Sequence, residues 1–167
     1  MTVITVTALE GRLALDQRRE LARTLTDAVL VPEVGQAAEA ARAGFQVHFL
    51  ALAADQMAIG GLLARDSGAD PMRIDIAVMD SHWPQDVRTR VIANVFAALA
   101  EATNNTEPSP AWWVNFRVID EGSWGSNGRT LSVHDLLDSG VFTAEKAEAV
   151  RATTARYDAE TPTNYRA

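Results

Sequence analysis

Met72-Arg-Ile-Asp-Ile-Ala-Val-Met79 alternates apolar and polar side chains, which predicts a strand with one buried face. Pro84 suits the first helical turn of the next segment, which has an apolar residue at every fourth position: Val87, Val91, Val95 and Leu99. This spacing predicts a helix that ends before Asn104. Residues 112–119 are rich in aromatic and β-branched side chains and predict the next strand. The order is therefore that of a βαβ unit.

The first half of the chain repeats this order. Residues 2–7 and 45–52 predict two strands, and residues 15–30 predict an amphipathic helix that Pro32 and Gly35 close. The alanine-rich residues 36–43 predict one short helical turn. Two further segments indicate hairpins, residues 57–63 around a Gly-Gly pair and residues 124–129 around an Asn-Gly pair.

We therefore expect an α/β (α+β) fold in which two β-α-β units build one four-stranded sheet with two helices on one face. Residues 1–140 form this domain, and residues 141–167 form a C-terminal helix over 141–156 and a flexible tail from Tyr157. Open sheet edges and two hairpin arms predict a homo-oligomer, most simply a trimer. A ferredoxin-like dimeric α/β barrel has the same strand and helix order, but its sheet is antiparallel and interleaved.

Composition restricts the function. The 167 residues carry a net charge of −7 and a pI of about 4.9, which argues against a nucleic-acid surface. There is no cysteine, which excludes disulfides and thiolate catalysis. The chain lacks a run of ~18 apolar residues and a signal-like start, so we expect no membrane association and a cytoplasmic location. Lys146 is the only lysine among 15 basic residues, a bias typical of GC-rich bacteria.

Five segments together resemble the tautomerase superfamily over about residues 2–140: Arg19-Glu-Leu-Ala-Arg-Thr-Leu-Thr-Asp27, Gln46-Val-His-Phe49, Gly60-Gly61, Trp113-Val-Asn-Phe116 and Trp124-Gly-Ser-Asn-Gly128. The most similar subgroup is the one that resembles cis-3-chloroacrylic acid dehalogenase, whose chains fuse two βαβ halves. The resemblance implies a trimer with active sites near the start of the first strand.

The residues that the family uses for catalysis are replaced here. The family works through an N-terminal proline base, and Thr2 stands at that position. The subgroup adds a histidine, two arginines, a tyrosine and a glutamate, and an ungapped comparison places other residues there: Val29, Asp80, Trp83, Asn115 and Ser126. Because Asp80 would repel a substrate carboxylate, we expect no dehalogenation of chloroacrylate.

Three residues remain as catalytic candidates. If Met1 is removed, Thr2 offers a primary amine with an ordinary pKa of roughly 7.7–8.0, which is usable as a base. Asn115 and Arg117 alternate with Val114 and Phe116, so they share one face of a strand and could hold a carbonyl or anionic oxygen. We expect Thr2 and Asn115 to approach one cavity. The plainer interpretation is a strand start for Thr2 and an interfacial polar face, paired with Asp75, for the other two.

Four residues are candidates for substrate binding: His48, Trp113, Phe116 and Trp124. Aromatic residues in this number line an apolar pocket or a subunit interface. His134, in what we take as an extended segment 132–135, shows no ligand spacing with the other histidines, and we expect no metal and no cofactor.

Two functional hypotheses follow. The chain is a tautomerase-fold enzyme with altered chemistry on a small carbonyl or enol-type molecule, of isomerase or lyase type, or it is a catalytically silent binding or scaffold subunit. The missing proline favours the second, whereas the aromatic residues and the Asn115/Arg117 pair support the first.

Overall fold

The fold was examined in a computed structural model that describes residues 1–81 and 83–160, the last five of them by their backbone alone. Its elements in chain order are β1 (Thr2–Leu9), α1 (Leu15–Val34), α2 (Glu39–Arg42), β2 (Phe45–Leu52), β3 (Ala58–Ile59), β4 (Leu62–Leu63), α3 (Ala64–Ser67), β5 (Met72–Met79), α4 (Gln85–Ala102), β6 (Trp112–Ile119), β7 (Gly125–Ser126), β8 (Arg129–Thr130), α5 (Val133–Asp138) and α6 (Ala144–Glu160).

Four long strands form one mixed sheet in the order β2-β1-β5-β6. β1 and β2 are parallel, β5 and β6 are parallel, and β1 and β5 join the two pairs in antiparallel fashion. Two parallel pairs are what the tandem β-α-β prediction requires. The interleaved antiparallel alternative is therefore excluded.

The two long helices, α1 and α4, cover one face of this sheet, as predicted. Their apolar stripes and the inward residues of the strands form the main core, in which the largest fully buried side chains include Ile4, Leu21, Leu25, Ile74 and Ile76. Burial of each such side chain stabilises the fold by roughly 1.5–3 kcal/mol. The periodicities of the sequence thus specify which face of each element lies inside.

Neither α1 nor α4 covers the opposite face, which we call the open face. Residues that pair across the strands point to the same side of a sheet, so one row of the open face runs Leu50, Thr7, Arg73, Trp113. Leu50 and Trp113 are 52% and 56% exposed. Exposed apolar side chains of this size are a feature of surfaces that bind another molecule.

Both predicted hairpins are present, β3–β4 and β7–β8. Asn127 (φ 52°) and Gly128 (φ 77°) both adopt the left-handed conformation that a two-residue hairpin turn requires.

Three sequence expectations need correction at the helix ends. Pro84 is itself the N-cap of α4, and its cap has no side-chain hydrogen bond. Residues 132–135 are not extended: Ser132 accepts a hydrogen bond from the His134 backbone N–H and starts α5. α6 begins at Ala144 and continues to Glu160, beyond the predicted helix end at residue 156, while residues 161–167 lie outside the described part.

The C-terminal segment packs on the rest of the domain. Phe142, Ala147 and Val150 join Val133 and Leu137 in a second apolar cluster that contacts the end of α1 through Leu30 and Val34. Among the described residues no helix is long and apolar enough to cross a bilayer.

Candidate acid–base site at the start of β1

The start of β1 lies beside the ends of β5 and β6. Thr2 pairs with Val78, and Val78 pairs with Val118, because β1 runs antiparallel to β5 and β5 runs parallel to β6. The Thr2 backbone N–H donates a hydrogen bond to the Gly44 carbonyl oxygen at 2.9 Å. The topology thus brings the beginning of the chain against the loop that follows β5.

Glu33 is the central ionisable group at this end of the sheet. It lies in the last turn of α1 and is only 7% exposed. Burial raises the pKa of the Glu33 carboxyl group to about 7, although the positive α-amine of Met1 and the Trp83 indole N–H both act to lower it. A carboxyl group with this pKa can both give and take a proton near neutrality.

The Met1 α-amine is the second ionisable group. Burial lowers its pKa from 8.0, and the charge of Glu33 opposes that change. The two groups interact directly, so their titrations belong to the pair. A buried amine thus lies beside a buried carboxyl group, and the charge of each opposes the pKa shift that burial imposes on the other.

Three buried polar atoms around this pair have no hydrogen-bond partner within the described residues: Thr2 Oγ1, Ser81 Oγ and Trp83 Nε1. Trp83 Nε1 interacts with the Glu33 carboxyl group but falls short of hydrogen-bond geometry. An unsatisfied buried polar group costs ~1–3 kcal/mol, and such groups concentrate where a ligand or reacting group completes them.

A small cavity opens between β5, β6 and the start of α4, and it is lined by Ser81 and Trp83 but not by Thr2 or Glu33. Trp83 and Phe116 form its aromatic wall, with ring centroids 5.8 Å apart in an edge-to-face arrangement. Arg88, Asp80 and Ser81 supply its polar lining. Arg88 is half-buried, and its guanidinium makes no hydrogen bond or ion pair with the described residues. The cavity holds only about 10 Å³, which is room for about one water molecule.

Two residues predicted from the sequence lie at this site. Thr2 is completely buried and faces the helices with Ile4 and Val78, so its hydroxyl lies on the same side of the sheet as Glu33. Phe116 is half-buried on the same side and contributes to the cavity wall.

The other predicted residues lie elsewhere. Asn115, Arg117, Trp113 and His48 are exposed on the open face, so the sheet separates them from Thr2. The expected single cavity for Thr2 and Asn115 is therefore not formed within one chain.

The polar groups of the open face hydrogen-bond with one another. Asn115 donates to Asp75 (3.3 Å), which also accepts from Arg73 (2.8 Å), so the expected pairing with Asp75 is present for Asn115. His48 contacts the Gln46 side chain at 3.1 Å. Trp124 is half-buried at the β7–β8 hairpin, away from the cavity described above.

The sequence reasoning missed Glu33, Ser81 and Arg88. A signal for Glu33 was present, because it continues the four-residue spacing of the buried stripe Leu21, Leu25 and Val29. A carboxyl group on the buried stripe of a helix is unusual unless it has a partner or a function. No comparable signal marked Ser81 or Arg88. The described residues contain no group of three His, Asp or Glu side chains that could hold a metal ion.

The fold matches solved structures of the tautomerase superfamily. A member of the cis-3-chloroacrylic acid dehalogenase family, N1, is 19% identical, with 90% of this chain and 99% of that chain covered and a TM-score of 0.63. A fused 4-OT in a symmetric trimer is 17% identical, with 79% and 96% covered and a TM-score of 0.63.

A third structure, Pt0534 inactivated by 2-oxo-3-pentynoate, is 17% identical, with 80% and 98% covered and a TM-score of 0.63. At these identities the likeness establishes the tautomerase fold. No protein-family model matches the chain, and no curated protein matches its sequence.

Proposed function

We propose that the chain is an enzyme of the tautomerase fold that moves a proton on a small carbonyl or enol-type molecule, with its N-terminal amine and Glu33 as the acid–base pair. The observation that carries this proposal is the buried carboxyl group with a pKa of about 7 beside a buried amine with a lowered pKa. Perturbed pKa values of coupled groups are typical of catalytic sites.

The pair can replace a single proline base. An unprotonated amine accepts a proton from the substrate, and the protonated Glu33 donates one to the atom that gains it, so the pair as a whole keeps its proton count. The hydroxyl of Ser81 has no hydrogen-bond partner among the described residues and can donate to an enolate oxygen. Arg88 offers a positive charge for a substrate anion.

The roles predicted for Asn115, Arg117, His48, Trp113 and Trp124 remain proposals that need a second chain. In a homotrimer, the open face of one subunit meets its neighbours, and Asn115, Arg117 and His48 would lie at or near that contact. The homotrimer is part of this proposal, supported by the trimeric 4-OT neighbour and by the exposed Leu50. A cytoplasmic location rests on the sequence alone.

A catalytically silent binding or scaffold subunit is the second candidate. The 10 Å³ cavity favours it, because no organic substrate fits that volume without a movement of the site. The two candidates differ in whether the amine is reactive.

Covalent labelling with 2-oxo-3-pentynoate tests the proposal. An unprotonated amine adds to the activated triple bond of this reagent, and the adduct accumulates even when binding is weak. We expect intact-mass spectrometry to show one added reagent molecule at neutral pH, and peptide mapping to place it on the first peptide. The same spectrum shows whether Met1 or Thr2 carries the amine.

The Glu33→Gln variant ties the reactivity to the carboxyl group. Because the charge of Glu33 raises the pKa of the amine, its removal should extend labelling to lower pH. Glu39→Gln is the matched control, since the Glu39 side chain is 91% exposed and lies on α2. No adduct on the first peptide, or the same pH dependence in both variants, would contradict the proposal and favour the silent subunit.

A further inference from the structure

A second cavity, which we call the hairpin cavity, lies at the other end of the sheet, beneath the segment that carries β3 and β4. Its volume is about 250 Å³, and six of its lining residues are large apolar ones: Leu52, Met57, Ile59, Pro71, Met72 and Trp113. Thr7 lines it, five residues along β1 from Thr2, so it lies about 17 Å from the acid–base site by strand rise. The two cavities share no lining residue.

The floor of the hairpin cavity is built by the open face. Thr7, Arg73 and Trp113 pair across three adjacent strands and present their side chains to the same side. The segment after β2 lies over them and is ordered internally by backbone hydrogen bonds from Gln56 N–H to the Ala53 carbonyl (2.8 Å) and from Ala64 N–H to the Met57 carbonyl (2.9 Å). The cavity therefore lies between the sheet and a segment that carries its own hydrogen bonds.

Two polar groups line the floor, the buried Thr7 hydroxyl and the guanidinium of Arg73, whose side chain is 54% exposed and reaches solvent. Thr7 is only 4% exposed, and its Oγ1 has no hydrogen-bond partner among the described residues. Arg73 bonds Asp75 Oδ2 through Nε at 2.8 Å, and within the described residues its two terminal nitrogens make no hydrogen bond. A buried hydroxyl donor beside an arginine is the arrangement that binds a negatively charged oxygen.

We propose that the hairpin cavity binds a small organic anion with a flat apolar body, such as an aromatic carboxylate or sulfonate. The flat body packs against the Trp113 indole and below Met57 and Ile59, while the acidic group accepts hydrogen bonds from Arg73 and Thr7. A dry apolar cavity of ~150 Å³ already accepts benzene, so about 250 Å³ has room for a larger aromatic acid.

Two fluorescent probes with the same aromatic body test this assignment. 8-Anilinonaphthalene-1-sulfonate carries the anionic group, and N-phenyl-1-naphthylamine lacks it. We expect Arg73→Gln to weaken binding of the sulfonate by about tenfold, equivalent to ~1.4 kcal/mol, and binding of the neutral probe by less than about twofold. Thr7→Val, which keeps the side-chain shape, should weaken sulfonate binding by about threefold or more.

Arg117→Gln is the matched control, because Arg117 lies on the same open face but does not line the cavity. The Arg117→Gln and Glu33→Gln variants should each bind the sulfonate with an affinity within about twofold of that of the unsubstituted protein. Circular dichroism shows whether each variant is folded, and if Arg73→Gln is not, Thr7→Val carries the test. Equal effects of Arg73→Gln and Arg117→Gln would overturn the proposal. So would the absence of saturable binding by either probe, the result expected if a second copy of the chain fills the cavity.

Discussion

Glu33 occupies a position where an apolar residue would be more stable. It follows Leu25 and Val29 at four-residue spacing, so α1 turns all three towards the interior. The folded state therefore favours the protonated form of Glu33, with a pKa of about 7 in place of 4.5. Such a shift makes stability depend on pH, since folded and unfolded chains bind different numbers of protons.

The first prediction is that Glu33→Gln stabilises the protein at alkaline pH. Because its pKa is raised in the folded state, protonated Glu33 adds to the free energy of unfolding in full below pH 4.5. This contribution is lost as the pH rises through about 7. Because Gln carries no charge, the variant avoids this loss and should exceed the unsubstituted protein by up to ~3 kcal/mol at pH 8 and by little at pH 5. Urea unfolding at the two pH values measures this difference.

The control for this prediction is again Glu39→Gln, whose side chain is exposed. The lowered pKa of the Met1 amine also adds stability as the pH rises towards 8. Loss of the Glu33 charge lowers this pKa further in Glu33→Gln, so the amine adds to the rise in stability of the variant between pH 5 and pH 8. Equal stability differences at pH 5 and pH 8 would show that Glu33 is not held in its neutral form.

The second prediction concerns turnover of phenylpyruvate, a substrate with an enol form and a carboxylate. We expect at least ~10²-fold less activity than a proline-dependent tautomerase shows, because the amine here is primary and Asp80 faces the cavity. An ultraviolet assay of enol loss, run beside a proline-dependent tautomerase, gives the comparison. Turnover equal to that enzyme would mean that Thr2 and Asp80 are no obstacle.

At the scale of the elements, the end of α1 depends on the C-terminal segment. Leu30 and Val34 flank Glu33 in sequence, and both pack against Phe142, Val150 and their neighbours. The backbone N–H of Thr143 also donates to the Val34 carbonyl at 2.9 Å. The segment that closes the chain thus holds the helical turn that carries the acid–base residue.

The third prediction is that Phe142→Ala destabilises the domain by about 3 kcal/mol, since it leaves a cavity among Leu30, Val34 and α6. It should also lessen the pH dependence of stability that comes from Glu33, because water then reaches the end of α1. Urea unfolding at pH 5 and pH 8 measures both effects. Leu15→Ala, at a side chain 60% exposed, should change stability by less than about 0.5 kcal/mol. A loss no larger than that of Leu15→Ala would mean that α6 is not firmly packed.

The long elements could be predicted because their signals are local. β2, β5 and β6 have the predicted bounds of 45–52, 72–79 and 112–119, since alternation of side chains along a strand is visible in sequence. α1 extends past its predicted end, because Pro32 lies inside the last turns and Gly35, with φ 85°, forms the actual C-cap. The expectation for residues 132–135 was wrong because a capping motif decided the local structure.

The site was less predictable because it depends on register. Thr2 faces Val78 and Val118, and no local pattern reveals which residues of antiparallel β1 and β5 lie opposite each other. Adjacent residues of a strand point to opposite sides of the sheet. Phe116 therefore lines the cavity, whereas its neighbours Asn115 and Arg117 lie on the other side. Only the folded topology brings the Glu33 carboxyl group close to the Met1 amine and to the Trp83 indole, which are distant from it in sequence.

At the scale of the whole molecule, the open face is the surface that we expect to determine assembly. A four-stranded sheet with helices on one side leaves half of its surface uncovered, and here that surface includes Leu50, half-exposed on the edge strand β2. Edge strands and exposed apolar residues are stable in solution when other subunits cover them. In a closed ring each subunit has a neighbour at both edges of its sheet, whereas a pair of subunits leaves one edge of each sheet without a neighbour.

The fourth prediction is therefore a homotrimer whose contacts include the open face. Light scattering at micromolar concentration should give about three times the subunit mass of 18.1 kDa. Leu50→Glu places a charge in that contact and should shift the mass towards one subunit, because a buried unpaired charge is strongly unfavourable. Leu15→Glu is the matched control: Leu15 is also exposed, but it lies on α1, away from the open face, so the trimer should persist. A mass near 18 kDa for the unsubstituted chain would overturn the prediction, and an intact Leu50→Glu trimer would place the contact elsewhere.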